Sequence, residues 1–197
     1  MRVLIVSDEE DPYLWDYYRP GALDGIDLIL SAGDLRAEYL SFLVTMAGCP
    51  LLYVHGNHDT GYLKAPPEGC ECVEDRIATV GGLRILGLGG SVRYSGGPFQ
   101  YTERQMRRRI RRLWLRLRLA GGADIVLTHA PPRGCGDLED RAHRGFAAFL
   151  PFLDRWKPRY LIHGHIHRRY QPGQKRLTRY GETVILNGNG KYILEIE

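Results

Sequence analysis

The chain has 197 residues, of which 44% are hydrophobic and 25% are charged, a balance typical of a globular protein with a sizeable core. The formal net charge of +4 arises from residues 104–118, which hold eight arginines and no acid, whereas the remaining residues carry 19 basic and 23 acidic side chains. No apolar stretch approaches the ~18–20 residues of a membrane span, so the composition excludes a helix that crosses a bilayer.

The four cysteines and the first residues indicate the compartment. The cysteines are irregularly spaced and include no CxxC pair, which favours reduced thiols over a zinc knuckle. No basic segment precedes an apolar one near the first residue, so we expect no secretory signal and a cytoplasmic location. Because we find no long linker, internal repeat or low-complexity block, residues 1–197 are predicted to form one domain.

In the first half of the chain, apolar runs alternate with helical segments. Strands are predicted over residues 2–7 and within residues 26–34 and 49–59. Short helices are predicted over residues 13–18 and 37–46. This β-α-β-α-β order indicates neighbouring strands joined by right-handed crossovers.

The second half begins with a predicted hairpin and a basic helix. Two strands flank a Gly81-Gly82 turn within residues 76–90, and a helix is predicted over residues 102–119. The remaining predicted elements are a strand in 123–132, a helix over 142–156, a strand in 158–167, and antiparallel strands in 176–197 with turns at Gly181 and around 188–190. We expect an α/β fold in which two sheets pack face to face with helices outside.

Polar residues of metal-ligating types follow the apolar runs at five places. These residues are Asp8 and Glu10, Asp34, the series Asn57, His58 and Asp59, then His129, and finally His165 and His167. Ligands in open α/β sheets collect at the carboxyl ends of strands. Each piece alone is also typical of a turn, a helix cap or a core histidine, but their combination favours a metal site.

The donor set restricts the metal. Carboxylate, amide and imidazole groups without thiolate suit divalent manganese, iron, zinc or similar ions. One aspartate at a central strand end could bridge two ions ~3.5–4 Å apart, the arrangement used in phosphoester hydrolysis.

The motifs in this order resemble those of the calcineurin-like metallophosphoesterase family. That family carries Asp-x-His, Gly-Asp, Gly-Asn-His-(Asp/Glu), a lone His and Gly-His-x-His, and this chain shows "SDEE", "AGD", "HGNHD", "LTH" and "HGHIH" over residues 8–167. The resemblance implies an α/β/β/α sandwich and a hydrolase of phosphomonoesters or phosphodiesters. It also implies two divalent ions, with manganese expected before iron, zinc or nickel.

The resemblance also implies roles for individual residues. Asp34 would bridge the ions, Asn57, His129 and His165 would complete one site, and Asp8 and His167 would serve the other. His58 would stabilise or protonate the leaving oxygen, Asp59 would orient His58, and water or hydroxide between the ions would be the nucleophile. Glu10 stands where the family has histidine, so it is predicted to bind the first ion directly or through water, or else to face solvent.

Two further residues are predicted to contact substrate. Arg93 lies in the glycine-rich segment 87–97, and an arginine there could bind phosphate bidentately. His143 lies in the segment after the "LTH" motif that could fold over the site. For each of them an ordinary loop role is an equally good interpretation.

The basic helix leaves two functional alternatives open. Its apolar residues recur at helical spacing, which favours a packed helix with a solvated arginine-rich face. The alternative is a nuclease or nucleotide phosphodiesterase that uses the arginines to attract polyanions, although no nucleic-acid recognition motif accompanies them. A third hypothesis is a non-catalytic scaffold with the same fold, as in the retromer subunit that resembles this family. We favour a small phosphoester substrate and no membrane partner, and the sequence leaves the oligomeric state open.

Overall fold

The first of two large sheets is built from short apolar strands. A computed structural model of the chain describes residues 1–167, 173 and 175–197. The five strands of this sheet lie in the order β13-β1-β2-β3-β4. Their bounds are β1 Arg2–Ser7, β2 Leu28–Ser31, β3 Leu51–Tyr53, β4 Glu71–Cys72 and β13 Gly190–Glu195. All neighbours are parallel except β13, which runs antiparallel to β1.

The second sheet has six strands in the order β11-β12-β10-β9-β6-β5. The four inner strands are parallel, and each edge strand forms an antiparallel hairpin with its neighbour. The bounds are β5 Ile77–Val80, β6 Leu83–Leu88, β9 Ile125–Thr128, β10 Tyr160–His163, β11 Leu177–Tyr180 and β12 Thr183–Asn187. Two short strands, β7 Ser91–Val92 and β8 Gln100–Tyr101, form a separate parallel pair.

Among the described residues, three α-helices lie outside the sheets: α1 Ala37–Ala47, α2 Glu103–Ala120 and α3 Phe149–Trp156. Helix α2 begins with a capping box, in which the side chain of Thr102 accepts a bond from the Gln105 backbone and Gln105 bonds back to Thr102. It ends at Gly121, whose left-handed backbone lets the chain turn away. Within the described part of the chain, no helix has the length and apolarity needed to cross a membrane.

Three apolar clusters hold the sheets and helices together. The central cluster joins residues of both sheets, such as Ile5 and Ile162, and is shielded from water on both sides. On the outer face of the first sheet, α1 buries Tyr39 and its neighbours. On the outer face of the second sheet, α2 and α3 bury Met106 and Phe149 with theirs. The predicted α/β/β/α sandwich is therefore confirmed.

The predicted helix over residues 142–156 is half wrong, because α3 begins only at Phe149. The preceding residues form a loop whose backbone is held by other groups. The Asp137 carboxylate accepts a bond from the Gly145 backbone N–H, and Phe146 pairs with Pro132 in an isolated bridge. A backbone engaged in this way cannot join a helical hydrogen-bond ladder. The short helix predicted over residues 13–18 is likewise only a 3-10 turn, Pro12–Leu14, capped by Asp11.

The prediction for the last strands is correct for one pair and wrong for the other. Strands β11 and β12 are antiparallel across Gly181, as predicted. Strand β13, however, leaves that sheet after residues 188–190 and pairs with β1 in the first sheet. The last two strands therefore belong to different sheets, which the local pattern of apolar residues does not distinguish.

One arginine of the basic helix is buried, contrary to the prediction that the arginines form a solvated face. The Arg109 guanidinium donates to Asp75 and Glu74 at 2.8 and 2.7 Å and to the Gly89 carbonyl at 2.8 Å. It also lies 4.4 Å from the centre of the Tyr101 ring. The two carboxylates offset the cost of burying the charge. Arg109 thus fixes α2 to the segment that follows β4.

Candidate metal centre

Parallel strands bring the predicted ligands to one edge of the two sheets. Asp34, His129 and His165 follow β2, β9 and β10, and their ligand atoms all lie within 4.8 Å of one another. This convergence is the arrangement expected where carboxyl ends of parallel strands meet. A cluster of one carboxylate and two imidazoles suits a divalent ion, so the residues present fit a metal.

The hydrogen bonds of His129 direct one nitrogen into this cluster. Its Nδ1 lies 2.7 Å from the Ala32 carbonyl oxygen, which can only accept, so Nδ1 carries a proton. Its Nε2 lies 3.0 Å from Asn57 Oδ1 and 3.4 Å from Asp34 Oδ2. A carbonyl that fixes the outer nitrogen of an imidazole is the usual support of a metal-binding histidine. The Nε2 atom is therefore the one available to a metal.

Asn57 is held in the orientation that a ligand requires. It is buried, and its Nδ2 donates to the Tyr94 hydroxyl at 3.1 Å. Its Oδ1 therefore faces His129 Nε2 and joins the oxygen and nitrogen atoms of the cluster. Tyr94 was missed in the sequence. The signal was an aromatic residue in the glycine-rich segment that supplies Arg93.

A backbone carbonyl supports His165 in the same way. The Ala142 carbonyl oxygen lies 2.8 Å from His165 Nε2, so Nε2 donates and Nδ1 is free to bind a metal. The His143 ring lies beside it, with 5.3 Å between the ring centres, and its Nδ1 is 2.9 Å from the Asp140 carboxylate. The segment around residue 142 therefore covers this side of the cluster. Contact between His143 and substrate stays a prediction.

Two motif glycines allow the strand ends to approach closely. A Cβ on Gly56 would collide with the Asp34 carboxylate, and a Cβ on Gly164 would collide with the side chains of Ser7 and Asp8. No other residue fits at either position without moving a predicted ligand. The glycines therefore set how tightly the ligand segments pack.

Three of the predicted ligands have left-handed backbones. The φ angles of Asp8, Asp34 and His165 are +62°, +58° and +67°. Positive φ is unfavourable for residues with a Cβ and persists where the surroundings over-determine it, commonly at functional sites. Two of these residues contact each other: the Asp8 carboxylate oxygens accept the His165 backbone N–H at 3.0 and 2.9 Å.

The buried carboxylates and imidazoles shift one another's pKa values. Burial alone would raise the pKa of Asp34, but the adjacent His129 lowers it to about 2. Burial would lower the pKa of His129, but Asp34 and Asp8 raise it to about 9. Burial and the nearby His129 lower the pKa of His165 to about 3. At neutral pH His129 is therefore cationic in the apo protein, whereas His165 is neutral.

Binding of one ion by Asp34, Asn57, His129 and His165 is expected to release about one proton at pH 7. The pKa of His129 is raised to about 9, so a proton occupies Nε2 below that pH and must leave before a metal binds there. His165 releases none, because its pKa is about 3. The apparent affinity should rise roughly tenfold per pH unit from pH 7 to 9 and then level off. Calorimetric titration in two buffers of different ionisation enthalpy measures the proton count, and a count of zero at pH 7 would contradict this assignment.

The residues predicted for the other ion are paired with protein groups. His167 Nδ1 lies 2.9 Å from the Glu9 carboxylate. Glu10 receives bonds from Arg36, with Nε 2.7 Å from Oε1 and 3.0 Å from Oε2, and a further bond from Nη2 to Oε2. The Arg36 guanidinium holds the pKa of Glu10 below its usual value. Ligation by Asp8, His167 and Glu10 stays a prediction.

The Glu10–Arg36 pair provides a test of the Glu10 prediction. If Glu10 binds the ion that Asp8 and His167 are predicted to hold, the Glu10 carboxylate must give up its ion pair with Arg36. Removing that pair by Arg36→Gln should therefore strengthen binding of this ion. We expect a two- to fivefold gain, about the worth of an exposed ion pair. Glu10→Ala should weaken binding of the same ion, and Glu10→His should shift the metal preference of the site toward zinc. Glu38→Gln, on the exposed face of α1, is the control. Competition with a chromogenic chelator measures the metal affinity of each variant. Unchanged affinity in all three site variants would show that Glu10 does not take part in metal binding.

His58 and Asp59 have different surroundings. The His58 side chain is exposed, and its backbone N–H donates to Asp34 Oδ1 at 2.8 Å. Asp59 is buried, and its Oδ2 accepts the backbone N–H groups of Gly56 and Asp34 at 2.7 and 2.9 Å. Asp59 therefore ties two ligand segments together, and within the described residues its carboxylate forms no bond to the His58 ring. A catalytic role for either residue stays a prediction.

A cavity of about 340 Å³ opens beside the cluster. Its lining combines predicted ligands with residues at its rim: Asp8, Glu10, Asp34, Leu35, Arg36, His58 and Asp59. Arg93 is exposed and does not line it. Arg36 therefore lines this cavity, whereas the prediction for Arg93 has no contact in support.

The chain was compared with protein families and curated proteins. A family model described as calcineurin-like phosphoesterase matches residues 1–169, which include every predicted metal ligand. Two curated relatives are from Caenorhabditis elegans. UPF0046 protein C25E10.12 is 24% identical over 199 residues, 82% of this chain and 66% of the relative. UPF0046 protein T07D4.2 is 28% identical over 119 residues, 59% of this chain and 29% of the relative. The chain thus spans less than two thirds of the length of either relative.

Solved structures with the same fold are distant in sequence. The protein TT1561 of Thermus thermophilus has a TM-score of 0.64 at 17% identity, covering 96% of this chain and 89% of that one. A putative 5'-nucleotidase from Staphylococcus aureus, solved with alpha-ketoglutarate, has a TM-score of 0.56 at 14% identity, covering 100% and 51%. At these identities the likeness extends to the fold alone, and it agrees with the two-sheet architecture.

Proposed function

Because this chain belongs to the calcineurin-like phosphoesterase family, we propose that it is a metal-dependent hydrolase of a phosphomonoester or a phosphodiester. The observation that carries the proposal is the convergence of Asp34, His129 and His165 ligand atoms within 4.8 Å at the strand ends. Asn57 Oδ1 adds a fourth donor next to His129 Nε2. An oxygen and nitrogen donor set of this kind suits manganese, our first expectation, as well as iron, zinc or nickel.

The proposed division of labour follows the contacts of each residue. Asp34, Asn57, His129 and His165 would hold one ion, and Asp34 would share the second with Asp8, His167 and Glu10. Two such ions supply a nucleophile from water at neutral pH and neutralise charge on phosphoryl oxygens. Asp59 keeps the Asp34 and Gly56 backbones in place through two N–H bonds, so it acts on the geometry of the ligand segments.

His58 is the proposed proton donor to the leaving oxygen. Its backbone is fixed by Asp34 Oδ1, while its ring is exposed at the cavity, where a substrate can reach it. An imidazole in that position can hold a proton at a ring nitrogen and deliver it as the phosphoester bond breaks. Arg36, at the same cavity, can pair with a substrate oxygen through the N–H groups that Glu10 leaves free.

The test is turnover of p-nitrophenyl phosphate and bis(p-nitrophenyl) phosphate with a panel of divalent ions. We expect metal-dependent hydrolysis of at least one, highest with manganese and lost with a chelator. The ratio of the two rates assigns monoester or diester preference. The nuclease alternative requires hydrolysis of an oligonucleotide to exceed both. Metal binding without turnover of any of the three would favour the scaffold.

A further inference from the structure

An arginine-rimmed groove lies between α2 and α3, outside the metal centre. Its volume is about 820 Å³, and none of the predicted metal ligands lines it. The floor is apolar and comprises Ile110, Trp114, Ala148, Pro151, Phe152 and Trp156. The charged side chains of its lining are Arg104, Arg107 and Arg111 from α2 and Arg155 from α3. The groove therefore combines an apolar floor with a rim of a single charge.

The three rim arginines of α2 and Trp114 form one row along the helix. Positions 104, 107, 111 and 114 recur at steps of three and four residues, which places them on one face over about 15 Å. All four side chains are exposed, and Trp114 keeps 49% of its surface in water. An exposed tryptophan in a groove is among the residue types enriched at protein interfaces.

The rim arginines are not paired with acidic groups of the described residues. Within that part of the chain, no ion pair or side-chain hydrogen bond is formed by any of the four rim arginines, Arg104, Arg107, Arg111 and Arg155. Arg109, on helix α2, differs in this respect. The only acid of α2, Glu103, accepts the backbone N–H groups of Ala147 and Ala148 at 2.7 and 3.0 Å. The only acid of α3, Asp154, lies 3.3 Å from the Tyr180 hydroxyl. Both helices thus turn their carboxylates away from the groove.

We propose that this groove docks an acidic amphipathic helix of a partner protein. An apolar channel between two helices can accept the apolar face of a third helix, because the side-chain ridges of one helix pack into the grooves of its neighbours. Carboxylates on both flanks of that helix would face the α2 row on one side and Arg155 on the other, and guanidinium binds carboxylate bidentately.

The geometry favours this occupant over two other anionic ones. A bilayer surface is flat and would not fill a channel, and the more exposed apolar residues Leu115 and Leu119 do not line it. Single-stranded nucleic acid needs open aromatic faces for base stacking, whereas the Arg118 guanidinium lies 5.6 Å from the Trp114 ring centre.

A selection experiment tests the proposal. The full chain is used to select from a displayed library of 18-residue helical peptides, and the enriched peptides are measured by fluorescence anisotropy. We expect enrichment of acidic residues flanking an apolar i, i+4, i+7 row. Binding should weaken at least about tenfold in Arg107→Glu/Arg111→Glu and in Trp114→Ala, as for interface hot spots. It should persist in Arg108→Glu/Arg112→Glu, which makes the same charge change on α2 outside the groove.

Other results would overturn the proposal. These are enrichment of neutral or basic peptides, equal loss of binding in both double variants, or tighter binding of a 20-mer single-stranded DNA or of phosphatidylserine vesicles through Arg107 and Arg111. Thermal melts and circular dichroism spectra report whether each variant is folded. Because the groove shares no residue with the metal centre, this result is independent of the proposed catalytic function.

Discussion

Replacing Asp34 with asparagine is expected to lower phosphoester turnover by about 10³-fold or more and to remove bound metal. Asp34 Oδ2 lies 3.4 Å from His129 Nε2, and its carboxylate supplies the negative charge of the cluster. Metal ions contribute several kcal/mol to stabilising the transition state, and each ~1.4 kcal/mol is a factor of ten in rate. Asparagine preserves the shape and an oxygen for the His58 backbone N–H, so the loss reports the charge.

Elemental analysis and a chelator competition measure the metal content of this variant, and kcat/KM measures its activity. The control is Asp24→Asn, the same chemical change on an exposed residue of the turn before β2. It should leave metal content and turnover unchanged. Near-normal metal content in the Asp34 variant would contradict the proposal that Asp34 binds the metal ions.

The His58→Ala variant should lose roughly 10²–10⁴-fold in kcat, the usual contribution of a general acid, while metal content stays near wild type. The ring is exposed at the cavity and only the backbone contacts Asp34, so its removal leaves the ligand cluster intact. The loss should depend on the leaving group. It should be largest for an alkyl phosphoester, whose oxygen needs a proton, and smallest for a p-nitrophenyl ester.

Thr60→Ala, two residues further along the same exposed turn, is the matched control and should retain full activity. Paired measurements of metal content and kcat decide the outcome. Loss of metal together with activity would make His58 a ligand, and an equal loss for all leaving groups would exclude proton donation.

Local sequence patterns predicted the strands and the residues that follow them. Apolar runs such as Ile125–Thr128 become buried strands because burial removes their apolar side chains from water. The polar residues that follow these strands then meet at the sheet edge. Helix α2 was predicted to within one residue, and its start is fixed by a capping box of Thr102 and Gln105, which are neighbours in sequence.

What the sequence could not predict depends on partners far along the chain. Arg109 is buried because Glu74 and Asp75, more than thirty residues earlier, meet it in the fold. The support of His165 comes from the Ala142 carbonyl, and a backbone group has no side-chain signature. The partner of β13 is decided by packing between sheets, so a pattern within residues 190–195 carries no information about it.

The pairing of β13 with β1 has a consequence for the order of events during synthesis. Arg2 pairs with Glu195 and Ser7 with Gly190, so the two strands are made at widely separated times. Until β13 emerges from the ribosome, β1 has an unpaired apolar edge, a feature that promotes aggregation. Such long-range pairing also slows folding. The strand that leads into Asp8 therefore acquires its last neighbour only after every predicted ligand, up to His167, has been synthesised.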